Sequence, residues 1–204
     1  MSETYAVNEI FYSLQGEGLR AGEPSVFVRF AGCNQKCVVK THGFDCDTEY
    51  VSSNQMTRAD IVTEVDLVLD ELDCEWIVFT GGEPGLQLDK ELLDSLSAAY
   101  PQRKYAIETN GSVDVSDLDL NWISVSPKVA EHAVRQIEAD EVKYVRGYGQ
   151  GIPKPRCKAR HQLISPATRG QSIDRRALEW CIELVKTNPS WRLSVQQHKL
   201  WGVR

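Results

Sequence analysis

Cys33, Cys37 and Cys46 stand close together in one short stretch of a chain that holds six cysteines. The segment Met1–Ala6 has no basic start and no apolar run, and nothing in the chain is long and apolar enough to read as a membrane span. The expected compartment is therefore the cytoplasm, where thiols stay reduced and clustered cysteines bind metal or take part in catalysis. Three thiolates on one loop suit two kinds of site. They can hold three irons of a 4Fe–4S cluster and leave the fourth iron open to a small molecule, whereas a fourth cysteine would better suit an electron carrier. With His42 they can equally surround a zinc ion. The cysteines alone leave both open. Cys74, Cys157 and Cys181 read as small buried hydrophobes, although Cys157, in a basic loop, could present a reactive thiol.

Other polar groups cluster at the ends of apolar runs. Gly81-Gly82-Glu83-Pro84, Thr109-Asn110-Gly111 and Ser126-Pro127-Lys128 each follow one. Paired glycines let backbone approach a ligand closely, and Pro127 stiffens the spacing of Ser126 and Lys128. Arg29 interrupts the apolar run Val26–Phe30, and a planar guanidinium suits a carboxylate or a ring acceptor. It could equally form an ion pair at a sheet rim.

The elements that must position these groups are strands alternating with a few helices. Ser25–Phe30, Trp76–Thr80, Tyr105–Glu108, Trp122–Val125, Val142–Val145, Gln162–Ile164 and Trp191–Val195 read as strands. Thr57 is expected to cap a helix carrying Ile61, Val65, Val68, Leu69 and Leu72 on its apolar face. Asp89 caps a second, burying Leu92, Leu93 and Leu96. Asp174 starts a third through Ala177, Trp180, Cys181 and Leu184, which stops near Pro189. Alternation of this kind implies a largely parallel sheet. Three long helices are too few for a full eight-fold barrel, so the expected fold is α/β: a partial, open (β/α) barrel with few helices, with ligands at the C-terminal strand ends. With 204 residues and no linker or repeat, residues 1–204 read as a single domain. The excess of 29 acidic over 23 basic residues argues against direct contact with nucleic acid. The local cluster Arg156, Lys158 and Arg160 reads as a solvated loop, and the whole of Arg146–Arg160 is assigned only as a loop.

Further along, the sequence resembles a known family. Glu9-Ile10-Phe11-Tyr12-Ser13-Leu14-Gln15-Gly16-Glu17-Gly18 and Phe27-Val28-Arg29-Phe30-Ala31-Gly32-Cys33-Asn34 are similar to the opening of 7-carboxy-7-deazaguanine synthases. Cys46-Asp47-Thr48, Thr80-Gly81-Gly82-Glu83-Pro84, Glu108-Thr109-Asn110-Gly111 and Ser126-Pro127-Lys128 continue the likeness in order. Arg192–Lys199 resembles the family's C-terminal signature. Two features depart from it. The first is the gap between Cys37 and Cys46, eight residues where the family commonly has two. The second is the segment Arg146–Arg160, rich in Gly, Pro and basic residues; just after it, Ser165 stands where relatives tend to carry Gln.

The resemblance implies a radical S-adenosylmethionine (SAM) enzyme that works with a 4Fe–4S cluster, SAM and Mg2+. Its reaction converts 6-carboxy-5,6,7,8-tetrahydropterin into 7-carboxy-7-deazaguanine with loss of ammonia, and the product feeds pathways to deazapurines such as queuosine. It implies Cys33, Cys37 and Cys46 as cluster ligands and Thr48 on Mg2+. The SAM contacts would be Asp45, Cys46, Asp47, Gly82, Glu83, Glu108, Ser126, Pro127, Lys128 and Ser165. The substrate contacts would be Leu14, Gln15, Gly16, Glu17, Arg29, Thr80 and the terminal Arg204, with the apolar tail Leu200, Trp201 and Val203 folding over the open barrel end. A homodimer is implied, as is a reductant such as flavodoxin or ferredoxin; neither membrane nor direct nucleic-acid contact is. Two rival readings remain: a glycyl-radical-enzyme activase, and a zinc-binding interaction domain built on Cys33, Cys37, His42 and Cys46.

Overall fold

A computed structural model describes residues 4–38, 42, 46, 48–70, 72–170 and 172–203. Its frame is a nine-stranded sheet in the order β11-β8-β7-β6-β5-β4-β2-β1-β3. From β2 (Pro24–Phe30) through β4 (Trp76–Gly81), β5 (Lys104–Thr109), β6 (Trp122–Val125), β7 (Glu138–Arg146), β8 (Lys158–Pro166) and β11 (Trp191–Leu193), every neighbouring pair is parallel. On the other side of β2, β1 (Thr4–Leu14) and β3 (Asn54–Thr57) add antiparallel edges. β9 (Thr168–Arg169) and β10 (Ser172–Ile173) pair separately. No closed barrel forms among the described residues: β3 and β11 end the sheet. The seven expected strands are all present, and the open α/β architecture is as the alternation of elements implies.

Four strands escaped the sequence pattern, the two-residue pair β9 and β10 and the longer β1 and β3, for a physical reason. In β1, Val7 pairs with Phe30 but Glu9 pairs with Arg29, so Asn8 is an extra residue. Such a bulge flips the phase of alternation. Tyr5 and Val7 lie in the helix-side core and so do Ile10 and Tyr12, while Phe11 faces the other way onto Phe27 with ring centroids 5.2 Å apart. No single period runs through the strand. β3, at four residues, is too short to show one.

The helices begin where their caps predict. In α1 (Arg58–Leu69), Thr57 Oγ1 accepts from the Asp60 amide and Asp60 accepts from the Thr57 amide, a reciprocal capping box. In α2 (Lys90–Ala99) and α3 (Arg175–Thr187), Asp89 and Asp174 accept from the amides of Leu92 and Ala177. α4 (Gln197–Trp201) is one short turn near the C-terminus. One expectation needs correction: α1 ends at Leu69, so Leu72 lies beyond it and is exposed.

The sheet has two unlike faces. The outer one carries Val26, Val28, Phe30, Ile77, Phe79, Tyr105 and Ile107 against Ile61, Val65, Leu92 and Leu96 of the helices. Burial of this kind is worth roughly 25 cal/mol per Å2 of apolar surface and holds the strands in register. The inner face starts apolar, with Phe27, Trp76, Val78 and Ala106. It turns polar toward the C-terminal ends, at Arg29, Thr80, Glu108, Ser124, Glu141 and Lys143. Registers Arg29↔Thr80, Glu108↔Ser124 and Ser124↔Glu141 put these on one side. Part of the segment assigned as a loop is strand: β7 runs to Arg146 and β8 starts at Lys158. Cys157 is buried in the second apolar cluster, and burial pushes its thiol up to about 11, so it is not a reactive thiol. Cys74 and Cys181 are buried as expected.

Candidate active site

Two adjoining cavities open at the C-terminal edge of the inner face. The first, about 180 Å3, is lined by Cys33, Cys37, Cys46, Gly81, Gly82, Asn110, Ser126 and Lys128 among others. The second, about 260 Å3, is lined by Leu14, Gln15, Gly16, Arg29 and Val203 among others. Glu17, Thr48, Thr80, Glu108 and Gln196 line both and form the wall between them.

The thiol side is built by backbone packed against backbone. Gly82 and Glu83 donate their amides to the Phe30 and Gly32 carbonyls at 3.0 and 2.9 Å, which lays the turn after β4 along the start of the cysteine loop. Gly81 has φ +120°, and a Cβ there would stand 2.1 Å from the Phe30 oxygen, so both its conformation and its surroundings require glycine. The loop returns through Tyr50, whose carbonyl accepts from the Gly32 amide at 2.7 Å. Asn8, the bulged residue of β1, donates to Glu49 Oε2 and to the Ser52 carbonyl oxygen. The bulge thus anchors the segment just after Cys46 and Thr48.

Glu83 is fully buried and lines neither cavity. Its carboxylate accepts from Thr109 Oγ1 at 2.6 Å, from the Asn110 amide at 2.7 Å and from the Gly85 amide at 3.0 Å. Burial raises its pKa, and these three bonds pull the other way. It fixes the Thr109–Gly111 turn, from which Asn110 Nδ2 donates to Asn34 Oδ1 at 3.0 Å and approaches Cys33 Sγ at 4.0 Å.

Burial pushes the Cys33 and Cys37 thiols up; Cys46 pushes both the same way, and Lys128 pulls Cys37 down. Among the described residues no three His, Cys, Asp or Glu side chains converge tightly enough to hold a single metal ion. All three thiols line the first cavity, and three thiolates fit a multi-iron cluster that takes one thiolate per iron. His42 sits outside this lining: Nε2 lies 3.1 Å from the Lys128 carbonyl and Nδ1 accepts from the Val38 amide at 3.3 Å. Both ring nitrogens are used within the loop.

On the other side, Gln15 Nε2 donates to Glu108 Oε1 at 2.8 Å and Thr80 Oγ1 to Glu108 Oε2 at 3.1 Å. The Glu17 amide donates to Gln15 Oε1 at 3.1 Å. Glu17 Oε1 accepts from Gln196 Nε2 at 2.7 Å, and its Oε2 is ion-paired with Lys143. Gly16 has no room for a side chain, since a Cβ would stand 2.1 Å from His198 Nδ1. Arg29 reaches the second cavity, yet its Nε already pairs with Glu9 at 2.9 Å and its guanidinium lies over the Phe11 ring.

The structure thus brings together fourteen of the residues singled out from sequence: Cys33, Cys37, Cys46, Thr48, Gly82, Glu108, Ser126 and Lys128, with Leu14, Gln15, Gly16, Glu17, Arg29 and Thr80. Glu83, Pro127 and Ser165 line neither cavity, and Ser165 is buried in β8. Asp45, Asp47 and Arg204 lie outside the described residues. Trp201 is 40% exposed and does not close the core, whereas Val203 does reach the second cavity. Sequence reasoning missed Ser124 and Lys143 as lining residues. For Lys143 the signal was present: a charge within the otherwise apolar run Val142–Val145, as for Arg29.

An open, largely parallel α/β sheet with a thiol-lined cavity at its C-terminal edge defines the class, an enzyme with its reactive groups on strand-end loops. No family model matches the chain. It is 38% identical over 200 residues to the 7-carboxy-7-deazaguanine synthase of Bacteroides thetaiotaomicron, covering 97% of this chain and 98% of that one. It is 37% identical over 224 residues to the 7-carboxy-7-deazaguanine synthase of Burkholderia multivorans, covering 98% and 99%. The crystal structure of QueE from Escherichia coli shares the fold, with a TM-score of 0.68 at 24% identity, over 96% of this chain and 95% of that one. The chain belongs to the 7-carboxy-7-deazaguanine synthase family, within the radical SAM superfamily.

Proposed function

We propose that the chain, acting over residues 1–204 as a single domain, converts 6-carboxy-5,6,7,8-tetrahydropterin into 7-carboxy-7-deazaguanine with loss of ammonia. The observation that carries this reading is the shared wall. A thiol-lined cavity and a polar, ring-sized cavity meet at Glu17, Thr48, Thr80, Glu108 and Gln196, so a reactive species generated in one has a substrate next to it in the other.

Cys33, Cys37 and Cys46 would hold a 4Fe–4S cluster, with SAM beside it against Gly82, Ser126 and Lys128. When bound, the cluster and SAM supply a 5′-deoxyadenosyl radical that removes a hydrogen atom from substrate. The chain's own residues bind and orient. Gln15 and Glu17 offer an amide and a carboxylate to the donor and acceptor edge of a pterin. Thr80 offers a hydroxyl from the strand end. Thr48, at the junction of the cavities, is the protein oxygen we assign to Mg2+, which suits hard oxygen ligands and keeps other positions for water and a substrate carboxylate. Arg29 would trade its contact with Glu9 for substrate, or steer through Glu9. Gly81 and Gly82 line the first cavity, and buried Glu83 holds their turn in place behind it.

The engagement of both His42 nitrogens favours iron over zinc among the cysteine-bound groups. The second cavity, about 260 Å3 and lined by Gln15, Glu17 and Arg29, suits a small polar ring better than the partner loop that a glycyl-radical-enzyme activase must admit. Among the described residues no helix is long and apolar enough to cross a membrane. We place the enzyme in the cytoplasm, as a homodimer reduced by a flavodoxin or ferredoxin, with its product entering deazapurine synthesis of the queuosine type. The test is anaerobic reconstitution with iron and sulfide followed by incubation with SAM, dithionite, Mg2+ and the carboxytetrahydropterin. Formation of 7-carboxy-7-deazaguanine is expected. A fully reconstituted protein that cleaves SAM but leaves this pterin unchanged would overturn the substrate assignment.

A further inference from the structure

Lys143 belongs to none of the motifs that mark the family in this sequence, yet it stands at the centre of the site. It lies on the inner face of β7, opposite Leu163 of β8, and is 9% exposed. Its ammonium pairs with Glu17 Oε2, 126 residues away in sequence. The other Glu17 oxygen accepts from Gln196, 179 residues away. Three distant segments therefore meet on one carboxylate in the wall between the cavities.

Glu17 needs such support. It lies between Gly16 and Gly18, after β1 has ended at Leu14, and Gly18 has φ +73°. Its backbone is held by the Glu17 amide on Gln15 Oε1 and the Gln197 amide on the Gly16 carbonyl, but outside the strand ladder only its side-chain partners aim the carboxylate. Lys143, in a nine-residue strand paired on both sides, is rigidly placed. A buried ammonium is costly unless paired, and removing one partner of such a pair leaves the other stranded.

We propose that Lys143 is a positioning residue for substrate recognition, holding the Glu17 carboxylate aimed at the donor edge of the pterin. The inference rests on the reading of Glu17 as a pterin contact. The other titratable groups around Lys143 are Glu108, Lys128 and the three thiols, which line the same cavity, and Glu141 two residues earlier on the same face. Glu141 is occupied by Ser124 Oγ at 2.8 Å and the Leu19 amide at 2.9 Å, and Glu108 by Gln15 and Thr80. Glu17 is thus the carboxylate that Lys143 serves. Burial pulls the Lys143 ammonium down to about 8, so its hold on Glu17 fades as pH rises past that value, whereas a guanidinium stays charged.

The test is equilibrium binding of the carboxytetrahydropterin to the reconstituted, SAM-loaded enzyme from pH 6.5 to 9.5 (roughly the range that brackets a lysine shifted in this way). Wild type, Lys143→Met and Lys143→Arg are compared, with iron content and SAM binding as controls. Wild type should bind more weakly above about pH 8. Lys143→Met should bind about tenfold or more weakly at pH 7 and lose that alkaline dependence, with cluster and SAM intact. Lys143→Arg should bind within about threefold of wild type at pH 7 and stay tight where wild type weakens. Unchanged binding by Lys143→Met, or a wild-type alkaline limb in Lys143→Arg, overturns the proposal. If Lys143→Met does not fold, the Lys143→Arg limb decides alone. Failure of wild type itself to bind the pterin would instead strike the reading of Glu17 and of the substrate.

Discussion

Gly82 lies so close to Gly32 that a Cβ on Gly82 would stand 1.9 Å from the Gly32 carbonyl oxygen and 3.1 Å from Cys33 Cβ. The obstacle is backbone, not a flexible side chain, so it cannot swing away. Gly82→Ala should push the cysteine loop off the β4 turn, at a cost of about 1–3 kcal/mol for overpacking. After anaerobic reconstitution the variant is expected to hold well under half the wild-type iron, measured as iron and sulfide per chain. Wild-type iron content would show that the contact is dispensable.

Glu83 ties the same turn to β5. Glu83→Ala strands the Thr109 hydroxyl and the Asn110 amide, and should cost about 3 kcal/mol, a drop in Tm of about 10 °C. The pH dependence follows from the direction of its shift. Burial raises the folded-state pKa above the unfolded one, so the folded chain holds this proton more tightly. The corresponding stability is present below the ordinary carboxylate range and is lost as pH rises through the raised value. Glu141, raised by burial, acts in the same direction. Thermal melts across that interval should fall less steeply with pH in Glu83→Ala than in wild type.

The three thiols should be individually essential. Cys33→Ala, Cys37→Ala and Cys46→Ala are each expected to lose the visible charge-transfer absorption of the cluster and SAM cleavage together. His42→Ala loses two hydrogen bonds within the loop but no ligand, and should keep both. A Cys37→Ala protein with a full cluster, beside a His42→Ala protein with none, would reverse the ligand assignment.

Thr48→Val keeps the shape of the side chain and removes its oxygen. Activation by Mg2+ should weaken by about tenfold or more, with iron content unchanged. The same Mg2+ titration curve in variant and wild type would remove Thr48 from the metal site.

The legible part of this protein was local. Asp89, Asp174 and Thr57 announce helix starts because a side-chain oxygen satisfies amides only two or three residues away. The parallel strands were visible because most of their central residues are buried and read as apolar runs. The site residues recognised from sequence lie in strand-end motifs such as Thr80–Pro84 and Ser126–Lys128, where a fold of this class gathers its ligands.

The rest was decided by distance in space. The bulge at Asn8 is set by pairing with β2, so β1 shows no steady alternation. Glu83 reads in the sequence as part of a ligand-binding turn, but in the fold three donors bury it beneath the site. Cys157 sits among basic residues in sequence, yet the second apolar cluster encloses it. Sequence by itself pointed to the family, to seven strands and three long helices in their order, and to three thiols as candidate ligands, because these depend on residue type and short spacing. Tertiary structure alone decided that Glu17, Lys143 and Gln196 meet, because side chains separated by 126 and 179 residues touch only when the fold brings their segments to one cavity wall.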